Sequence, residues 1–232
     1  MKKNISKRYK KLISIFKDKK LTTLEEAIIK VKQSCTAKFD ESIDVSLKLN
    51  LKQKKEDVSL RTVVNLPNGN GKKIKIAVLC EENKIIEAKK SGAEIAGSDN
   101  LVEEILSGKI SFDKLIATPA MMSKMGKLGK ILGPKGLMPN PKLGTVTADI
   151  KKAVTDAKSG QVEIRNDKDG NIGVTLGKKS FSDENLIKNY NAILETLEKE
   201  KSNVTVKGDL IKNAFITSTM GVAYKLKLSK NI

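Results

Sequence analysis

The order of the hydrophobic patterns along the chain constrains its fold more than any other feature of the sequence. Residues 41–51 alternate apolar and polar side chains, which predicts a half-exposed strand, and the same period of two returns in the last third of the chain. Between them, strand and helix patterns alternate as in an α/β layer with parallel strands. Because neither flank has enough strands to be stable alone, we predict a split β-α domain from residues 1–67 and 160–232, with an α/β domain of residues 68–159 inserted.

The predicted fold class is therefore α/β, in the mixed form also called α+β, and local patterns give the individual elements. Strands are predicted at 41–51, 58–66, 74–79, 94–96, 114–118, 161–166, 172–176 and 214–228. Helices are predicted within 1–20, from Thr22 or Thr23 onward, near 85–88, at 101–106 and 148–158, and from Ser182 or Asp183 through Leu197. The strands at 161–166 and 172–176 are expected to form a hairpin around the turn at 167–170.

Glycine lies at both crossings between the predicted domains. Gly69 and Gly71 stand on the way into the insert, and Gly160 stands on the way out. Glycine has no Cβ atom and adopts backbone conformations that are closed to other residues. Two glycine-bearing crossings side by side predict a hinge between the domains.

The net charge of the chain points to a polyanionic partner. Lysine and arginine total 45 residues against 27 aspartate and glutamate residues, which gives a formal net charge of +18. The arginines are Arg8, Arg61 and Arg165, so nearly all of the positive charge is lysine. Lysine is a point charge without the bidentate fork of arginine, so the surface suits a phosphate backbone better than the reading of base edges.

The sequence offers no candidate residues for catalytic chemistry. The chain has no histidine, which excludes Ser-His-Asp and Cys-His catalysis and histidine-ligated metal sites. Neither the P-loop nor the dinucleotide glycine spacing is present, and no carboxylate pair stands out for acid–base work. Cys35 and Cys80 are isolated in apolar stretches and are expected to be buried thiols. We therefore predict no catalytic residue, no cofactor, no metal and no enzyme activity.

The sequence also predicts where the protein is found. No apolar run approaches the length of a membrane span, which is roughly 20 residues. The basic N-terminus lacks the apolar core of a secretory signal. We therefore expect a cytoplasmic protein without a membrane partner.

The densest run of glycine and proline in the chain covers residues 121–147. Both residue types oppose regular helices and strands, so the run predicts a shaped loop, with no regular element beyond Leu132. From residue 121 to residue 142 the run contains no acidic side chain. Its five lysines are Lys124, Lys127, Lys130, Lys135 and Lys142. We interpret them as a secondary cationic surface that steers RNA or tRNA towards the protein.

Two other segments have the residue types that recognise RNA. Residues 36–42 place Lys38 beside Phe39 at the entrance of a strand, where the ring can stack on a base while the ammonium binds a phosphate. Residues 217–221 place three hydroxyl residues before a methionine and a glycine inside the predicted last strand. Each segment has a simpler alternative, in which Phe39 fills the edge of the core and the glycine marks a plain β-bulge.

Several motifs give the chain a resemblance to a known family. They are GPKGLMPNPK at 133–142 with GTVT at 144–147, AKFDE at 37–41, RNDK at 165–168 and STMG at 218–221. In this order, and over essentially the whole chain, they resemble the bacterial large-subunit ribosomal protein one family. The resemblance implies a two-domain fold in which the second domain splits the first. It also implies a structural protein, monomeric off the ribosome, that binds large-subunit ribosomal RNA at the mobile stalk, helps release deacylated tRNA from the exit site and represses its own mRNA.

The resemblance further implies which residues bind ribosomal RNA. They are Lys38, Phe39, Asp40, Ser42, Arg165, Lys168, Thr217, Thr219, Met220 and Gly221. One position departs from the family, which usually has proline after the Thr-Met-Gly motif where this chain has Val222. Valine restores a backbone N–H and is expected to loosen the turn that carries Met220.

Two other functions stay open. The first is a small phosphate-handling enzyme that uses the lysine-rich loop, with Lys135 as the residue to test. The second is a general RNA chaperone, which would show no preference among RNAs at physiological salt.

Overall fold

The computed structural model describes residues 5–16, 21–51, 60–203 and 206–228. The chain divides into two compact units. Unit one comprises the described residues up to Gly71 and from Val162 onward, and unit two is Lys72–Gln161.

The helices and strands of both units are numbered in chain order. The helices are α1 (Lys7–Phe16), α2 (Leu24–Ser34), α3 (Ile85–Lys90), α4 (Asp99–Leu106), α5 (Met122–Met125), α6 (Gly129–Leu132), α7 (Ile150–Lys158) and α8 (Asp183–Lys199). The strands are β1 (Ser42–Leu51), β2 (Arg61–Asn65), β3 (Ile76–Leu79), β4 (Ile95–Gly97), β5 (Lys114–Ala117), β6 (Gln161–Arg165), β7 (Asn171–Lys178), β8 (Val206–Ser218) and β9 (Tyr224–Lys225).

Unit one is built on a four-stranded antiparallel sheet with the strand order β7-β1-β8-β9. The alternation predicted for β1 is confirmed, because Ile43, Val45 and Leu47 are buried while Ser46 and Lys48 are exposed. Helices α2 and α8 pack on the buried face and close the core. A separate two-stranded sheet pairs β2 with β6.

Capping residues fix where the two core helices begin. The Thr23 side chain accepts a hydrogen bond from Glu26 N–H at the start of α2. The Ser182 side chain accepts a hydrogen bond from Asn185 N–H at the start of α8. Both helices also have acidic residues in the first turn, where they complement the helix dipole. The predicted starts of both helices are therefore confirmed.

Buried Asn189 of α8 ties residues 68 and 69 to unit one. Its side-chain amide donates to the carbonyl oxygens of Gly69 at 2.9 Å and Leu176 at 2.7 Å. Its Oδ1 accepts a hydrogen bond from Asn68 N–H at 3.2 Å. The turn that ends the first segment of unit one is therefore held by side-chain hydrogen bonds to the helix behind the sheet.

Unit two is an α/β arrangement around a parallel sheet with the strand order β4-β3-β5. All four residues of β3 are buried, as expected for a parallel strand that is covered on both faces. One core cluster joins the sheet to α4, α5 and α6, and a second joins it to α3 and α7. Together with the antiparallel sheets of unit one, this arrangement confirms the predicted α/β (α+β) class.

The hairpin predicted at 161–176 is confirmed only next to its turn, where Asn166 and Ile172 form an isolated antiparallel bridge. β6 pairs with β2, whereas β7 pairs with β1, so the two strands belong to different sheets. The turn between them is present, with hydrogen bonds from Asp167 N–H to the Asn171 carbonyl and from Gly170 N–H to the Asp167 carbonyl. An alternating pattern indicates a strand but not the strand with which it pairs. Here the partner of β6 is β2 and the partner of β7 is β1.

The single long strand predicted at 214–228 is wrong. β8 ends at Ser218, the chain turns, and β9 returns antiparallel to β8. Tyr224 and Leu226 are buried, as their alternation predicts, but they belong to the returning segment. The glycine at 221 therefore marks a turn between two strands, and the alternative of a bulge within one strand is wrong as well.

The glycine- and proline-rich run is not a loop throughout. Helical turns, among them α5 and α6, occupy 119–132, and their buried residues recur at the helical period. These buried residues are Met121, Met125, Leu128 and Leu132. The described stretch 133–149 contains no helix longer than one turn and no strand, as predicted from the glycine and proline content.

Candidate nucleic-acid interface

A fully buried carboxylate, Glu41, joins the two segments that were predicted to recognise RNA. Its Oε1 accepts a hydrogen bond from Ala37 N–H at 2.9 Å, which closes the loop before β1. Its Oε2 accepts hydrogen bonds from the Ser218 hydroxyl at 2.8 Å and from Met220 N–H at 3.0 Å. Three donors to one carboxylate hold this loop and the turn after β8 together, and hydrogen bonds to an ionised acceptor are the strong ones.

The hydrogen bonds keep Glu41 ionised despite its burial. Loss of hydration is the largest single influence and by itself raises the pKa of the carboxyl group. The hydrogen bonds from Ala37, Ser218 and Met220 act in the opposite direction, and the nearby charge of Arg8 adds to them. The pKa of Glu41 therefore lies below its ordinary value of 4.5. Glu41 is a negatively charged centre inside a basic protein.

Ser42 makes a second connection between β1 and the turn after β8. The Ser42 N–H donates to Thr219 Oγ1 at 3.0 Å, and the Thr219 N–H donates to the Ser42 carbonyl at 3.0 Å. The Ser42 hydroxyl accepts a hydrogen bond from Lys178 Nζ at 2.9 Å. Pairing along β1 therefore continues past the end of β8 and fixes Thr219 beside the strand.

Gly221 lies where no side chain fits. A Cβ atom at this position would be 2.3 Å from Ser218 Oγ and 2.8 Å from Ser34 Oγ, well inside the contact distance. The Gly221 N–H donates to the Ser218 carbonyl at 3.3 Å and closes the turn. The next residue, Val222, is buried in the core of unit one, so it anchors the turn by packing where the related family has a proline.

Arg8 of α1 connects the same loop and turn on the exposed side. Its Nη1 donates to Thr36 Oγ1 at 2.8 Å, and its Nη2 donates to the Met220 carbonyl at 3.0 Å. Because the guanidinium is planar and rigid, two such contacts fix its orientation. Arg8 therefore adds an oriented positive charge at the edge of this surface.

The loop and the turn present two large apolar side chains to solvent. Phe39 is 53% exposed and Met220 is 47% exposed. Lys38, next to the ring, is exposed as well. The alternative in which Phe39 fills the edge of the core is therefore wrong. Both side chains are therefore available for contact with a partner.

Other residues at this end of the sheet, including the predicted Asp40 and Thr217, already form hydrogen bonds within unit one. The Asp40 carboxylate accepts hydrogen bonds from the Ser180 N–H at 3.2 Å and the Ser180 hydroxyl at 2.8 Å. Thr217 is half-buried, and its hydroxyl donates to the Ser218 carbonyl at 3.1 Å. Lys179, exposed in the same loop as Ser180, donates from Nζ to the Cys35 carbonyl at 3.2 Å.

Arg165 and Lys168 lie at the opposite end of the four-stranded sheet. In the pairing of β1 with β7, Ser42 is at one end and Lys48 is near the other, beside the turn that carries Lys168. From Ser42 to Lys48 a strand rises by about 20 Å. Both Arg165 and Lys168 are exposed. The structure therefore brings the predicted RNA-binding residues together in two groups, one at each end of β1.

The predicted secondary cationic surface belongs to unit two. Lys127, Lys130, Lys135 and Lys142 are exposed. Lys124 is also exposed but forms an ion pair with Asp99, with an Nζ–Oδ1 distance of 2.6 Å. Such an exposed pair contributes little to stability.

The cysteines and the acidic residues do not form a chemical centre. Cys35 and Cys80 are both buried, and burial is the main cause that raises the pKa of each thiol, so neither is an activated nucleophile. Across the described parts of the chain, no group of three or more histidine, cysteine, aspartate or glutamate side chains is placed to hold a metal ion. Nor does any helix in those parts have the length and apolar character to cross a membrane.

Two central residues of the surface, Glu41 and Arg8, were not predicted from sequence. A signal for Glu41 was present, because it is in phase with the inward-facing Ile43 and Val45 of β1. An acid at an inward position requires buried donors, and the hydroxyl and glycine residues at 218–221 are suited to supply them. Arg8 gave no comparable signal, since its contacts depend on where α1 packs.

A basic α/β protein that exposes apolar and hydroxyl groups on a hydrogen-bonded surface has the features expected of the class of nucleic-acid-binding proteins. Residues 31–222 match the model of the ribosomal protein L1p/L10e family. The large ribosomal subunit protein uL1 of Pelagibacter ubique (strain HTCC1062) is 63% identical over 227 residues, which are 98% of this chain and 99% of that relative. The protein of the same name from Rickettsia akari (strain Hartford) is 48% identical over 209 residues, or 90% of this chain and 87% of that one.

The chain belongs to the ribosomal protein L1p/L10e family. The resemblance inferred from the sequence motifs is therefore confirmed. Members of this family are structural ribosomal proteins rather than enzymes, which also confirms the predicted absence of enzyme activity. Membership gives the chain its location on the ribosome in the cytoplasm.

Proposed function

We propose that the protein is a structural component of the large ribosomal subunit that binds ribosomal RNA through the end of unit one organised by Glu41. The observation that carries this proposal is the shared buried carboxylate. Through its three donors it fixes the loop with Phe39 and the turn with Met220 as one surface. A surface that is ordered before binding loses less conformational entropy when RNA binds.

The exposed residues of this surface have distinct roles in the proposal. The Phe39 ring stacks on a base or ribose, an interaction worth about 1–3 kcal/mol per base. Met220 makes an adaptable apolar contact. Lys38 approaches a phosphate, and the Thr217 hydroxyl approaches a ribose 2′-OH. Asp40, Ser42, Thr219 and Gly221, which already have partners within unit one, hold these groups in place.

Arg165 and Lys168 supply a second set of phosphate contacts at the far end of β1. With a formal net charge of +18, binding releases counterions from the RNA, so the affinity falls steeply as salt rises. The fit of the surface around Phe39 and Met220 supplies a further part of the RNA affinity, and salt does not remove that part. Retention of the protein on large subunits after a high-salt wash tests for that part, and loss of the protein in the wash contradicts it.

The proposal has three finer parts, which the family resemblance implies. The bound RNA is the mobile stalk of the large subunit, the protein helps to release deacylated tRNA from the exit site, and it represses its own mRNA by binding a similar RNA surface. The predicted hinge glycines, Gly69, Gly71 and Gly160, have φ angles of 66°, 72° and 100°, and a hinge between the domains would let the stalk move. The protein acts as a monomer off the ribosome.

Alanine substitutions at the exposed pair test the main proposal. Phe39→Ala and Met220→Ala are each expected to weaken binding to protein-free bacterial large-subunit rRNA by about 1–3 kcal/mol in filter-retention assays. Ile86→Ala, which truncates a 67% exposed apolar residue of unit two, is the matched control and is expected to bind like the wild type. Unchanged affinity in both unit-one variants would remove this surface from the RNA site.

The two alternative functions are separated from this one by direct assays. A phosphate-handling enzyme would turn over nucleotides in pure form and lose that activity in Lys135→Ala. A general RNA chaperone would bind unrelated RNAs as tightly as large-subunit rRNA at physiological salt. Membership of a family of structural ribosomal proteins weighs against the first.

A further inference from the structure

The outer face of the four-stranded sheet, on the side away from α2 and α8, has no role in the surface around Glu41 beyond its end at Ser42 and Thr217. Most of its outward-facing side chains are polar. They are Asp44, Ser46, Lys48, Asn171, Thr175, Asn213, Thr217 and Lys225, together with Phe215 and the glycine at 173. An antiparallel sheet can leave one face in water, and polar residues there need no explanation. A large exposed aromatic residue in the middle of such a face does.

Phe215 belongs to a row of residues that crosses the sheet. Gly173 of β7 lies opposite Ser46 of β1. Ser46 lies opposite Phe215 of β8, and Phe215 lies opposite Lys225 of β9. The row therefore places one aromatic ring between two small residues on one side and a lysine on the other.

The geometry of the row leaves the ring accessible. Phe215 is 38% exposed, and Lys225 Nζ is 6.0 Å from the centre of its ring. Beside Ser46, a Cβ atom added to Gly173 would meet no atom within 4 Å. The two small residues leave open space on one side of the ring, and from the other side the Lys225 ammonium lies over the ring.

We propose that this outer face binds an unpaired nucleotide of RNA, with its base stacked on Phe215 and its phosphate against Lys225. Every base has a flat π-face, so stacking needs no particular sequence, and aromatic residues on a four-stranded sheet are a known way to hold single-stranded RNA. This inference rests on the proposed function, because the nucleotide belongs to the RNA that the neighbouring surface binds.

Continuity along the sheet supports RNA as the occupant. The row lies between the two groups of predicted RNA-binding residues, which stand at the Ser42 end and the Lys168 end of β1, about 20 Å apart. An RNA strand that reaches both groups crosses the row. A protein partner fits less well, because the centre of a protein interface is a contiguous apolar patch and Phe215 is surrounded by polar residues.

The charges on this face agree with the same occupant. Lys225 lies in the row, and Lys48 is exposed one outward position from Ser46. The acid among the outward-facing residues described is Asp44, whose Oδ1 accepts a hydrogen bond from the Thr175 hydroxyl at 2.6 Å. The phosphate is therefore expected on the side of the row that carries Lys225, away from Asp44.

A tryptophan reporter tests the stacking directly. The chain contains no tryptophan, so Phe215→Trp creates a single fluorophore at the proposed contact. On addition of protein-free bacterial large-subunit rRNA, its fluorescence is expected to be quenched with the affinity kept within about twofold, because the indole stacks as well as the phenyl ring. Ile86→Trp in unit two is the control and is expected to bind rRNA without quenching.

Two further variants separate stacking from charge. Phe215→Leu keeps an apolar side chain without a ring and is expected to lower rRNA affinity about tenfold at every salt concentration, whereas Phe215→Tyr restores it. Lys225→Gln is expected to reduce the slope of log affinity against log salt by about 0.7, the value for one phosphate of a single strand.

The outcomes distinguish this inference from the proposed function. A Phe215→Trp protein that retains rRNA on a filter without quenching overturns the nucleotide site and leaves the Glu41 surface intact. Unchanged affinity in Phe215→Leu overturns it in the same way. Failure of the wild type to prefer rRNA over unrelated RNA overturns both.

Discussion

The two cationic regions of the molecule differ in how their exposed groups are held. In unit one, a buried carboxylate and a network of hydrogen bonds fix the loop and the turn that present Phe39 and Met220. In unit two, the lysines between 124 and 142 extend from helical turns and a loop, and apolar packing holds their backbone. The run 121–142 of unit two therefore concentrates positive charge without any acidic residue, and the surface of unit one has the more determined geometry.

The difference teaches that charge density alone does not identify a specific binding surface. Lysines on flexible stems attract any phosphate backbone, and the attraction carries no sequence information. A surface with fixed apolar and hydroxyl groups can reject an RNA of the wrong shape. We therefore expect specificity to depend on unit one and long-range attraction to include unit two, and four variants test that division.

Glu41→Ala is expected to have the largest effect. It leaves the partly buried Ala37 N–H, the buried Ser218 hydroxyl and the partly buried Met220 N–H without their acceptor, at about 1–3 kcal/mol for a fully buried unsatisfied group and less for a partly buried one. We expect the free energy of unfolding to fall by about 3–5 kcal/mol in urea titrations and rRNA affinity to fall at least about a hundredfold. Glu103→Ala, at an exposed position of unit two, is expected to change stability by less than about 0.5 kcal/mol. Wild-type rRNA affinity in a folded Glu41→Ala protein contradicts the proposal that Glu41 fixes the RNA-binding surface.

A matched pair of glycine substitutions should change stability in opposite directions. Gly221→Ala forces a Cβ atom against Ser218 Oγ and Ser34 Oγ, and we expect it to lower the free energy of unfolding by about 1–3 kcal/mol and weaken rRNA binding. Gly126 of unit two has a helical φ of −54° and no atom within 4 Å of an added Cβ. Gly126→Ala is therefore expected to stabilise the protein by about 0.5–1 kcal/mol. Urea unfolding measures both, and a stabilising Gly221→Ala refutes the close approach.

The charge of Glu41 predicts a specific pH dependence. Its pKa in the folded protein lies below the ordinary 4.5, so on acidification the unfolded chain takes up the proton first. The stability that this lowered pKa provides is fully present above about pH 4.5 and is lost as the pH falls through the folded value. The stability difference between the wild type and Glu41→Gln is therefore expected to be constant from about pH 7 to about pH 5 and to shrink below about pH 4.5. Urea unfolding across this pH range measures the difference, and a difference that grows on acidification contradicts a lowered pKa of Glu41.

The smallest effect is expected from the unit-two lysines. The double variant Lys127→Gln with Lys130→Gln is expected to weaken binding uniformly across RNAs and to lower the salt slope by about 1–2, with the preference for large-subunit rRNA unchanged. The control is Lys89→Gln with Lys90→Gln, which removes the same charge from exposed positions of α3. Loss of the rRNA preference in the first variant alone would move the specific site into unit two.

Local patterns in the sequence predicted much of the fold because their causes are local. The alternation of β1 follows from one buried and one exposed face, and the helix starts at Thr23 and Ser182 follow from side-chain caps. The strand partners of β6 and β7 did not follow, since pairing depends on residues far away in the chain. The helical turns at 119–132 were not predicted, because the glycines there oppose a regular helix. The apolar residues from Met121 to Leu132 do have helical spacing, and this was the signal that could have revealed the turns.

The candidate site divides in the same way. Phe39 and Met220 were recognisable because aromatic, methionine and hydroxyl residues interrupt the expected patterns. Their connection through Glu41 was not, because an acidic residue carries no sign of the donors that surround it in the fold. Arg8 reaches the site only through the packing of α1 and has no local signature.

The hydrogen bond between Glu41 and Met220 spans 179 residues of the chain, and this span has a consequence for synthesis. Unit two is continuous in sequence and can fold as soon as its residues leave the ribosome. β1 has to wait for β7 and β8, which are made much later. A translation product that stops before Met220 keeps the lysines of unit two but lacks the surface with Phe39 and Met220. If the proposed function holds, specific RNA binding is therefore expected only of chains whose synthesis has passed that turn.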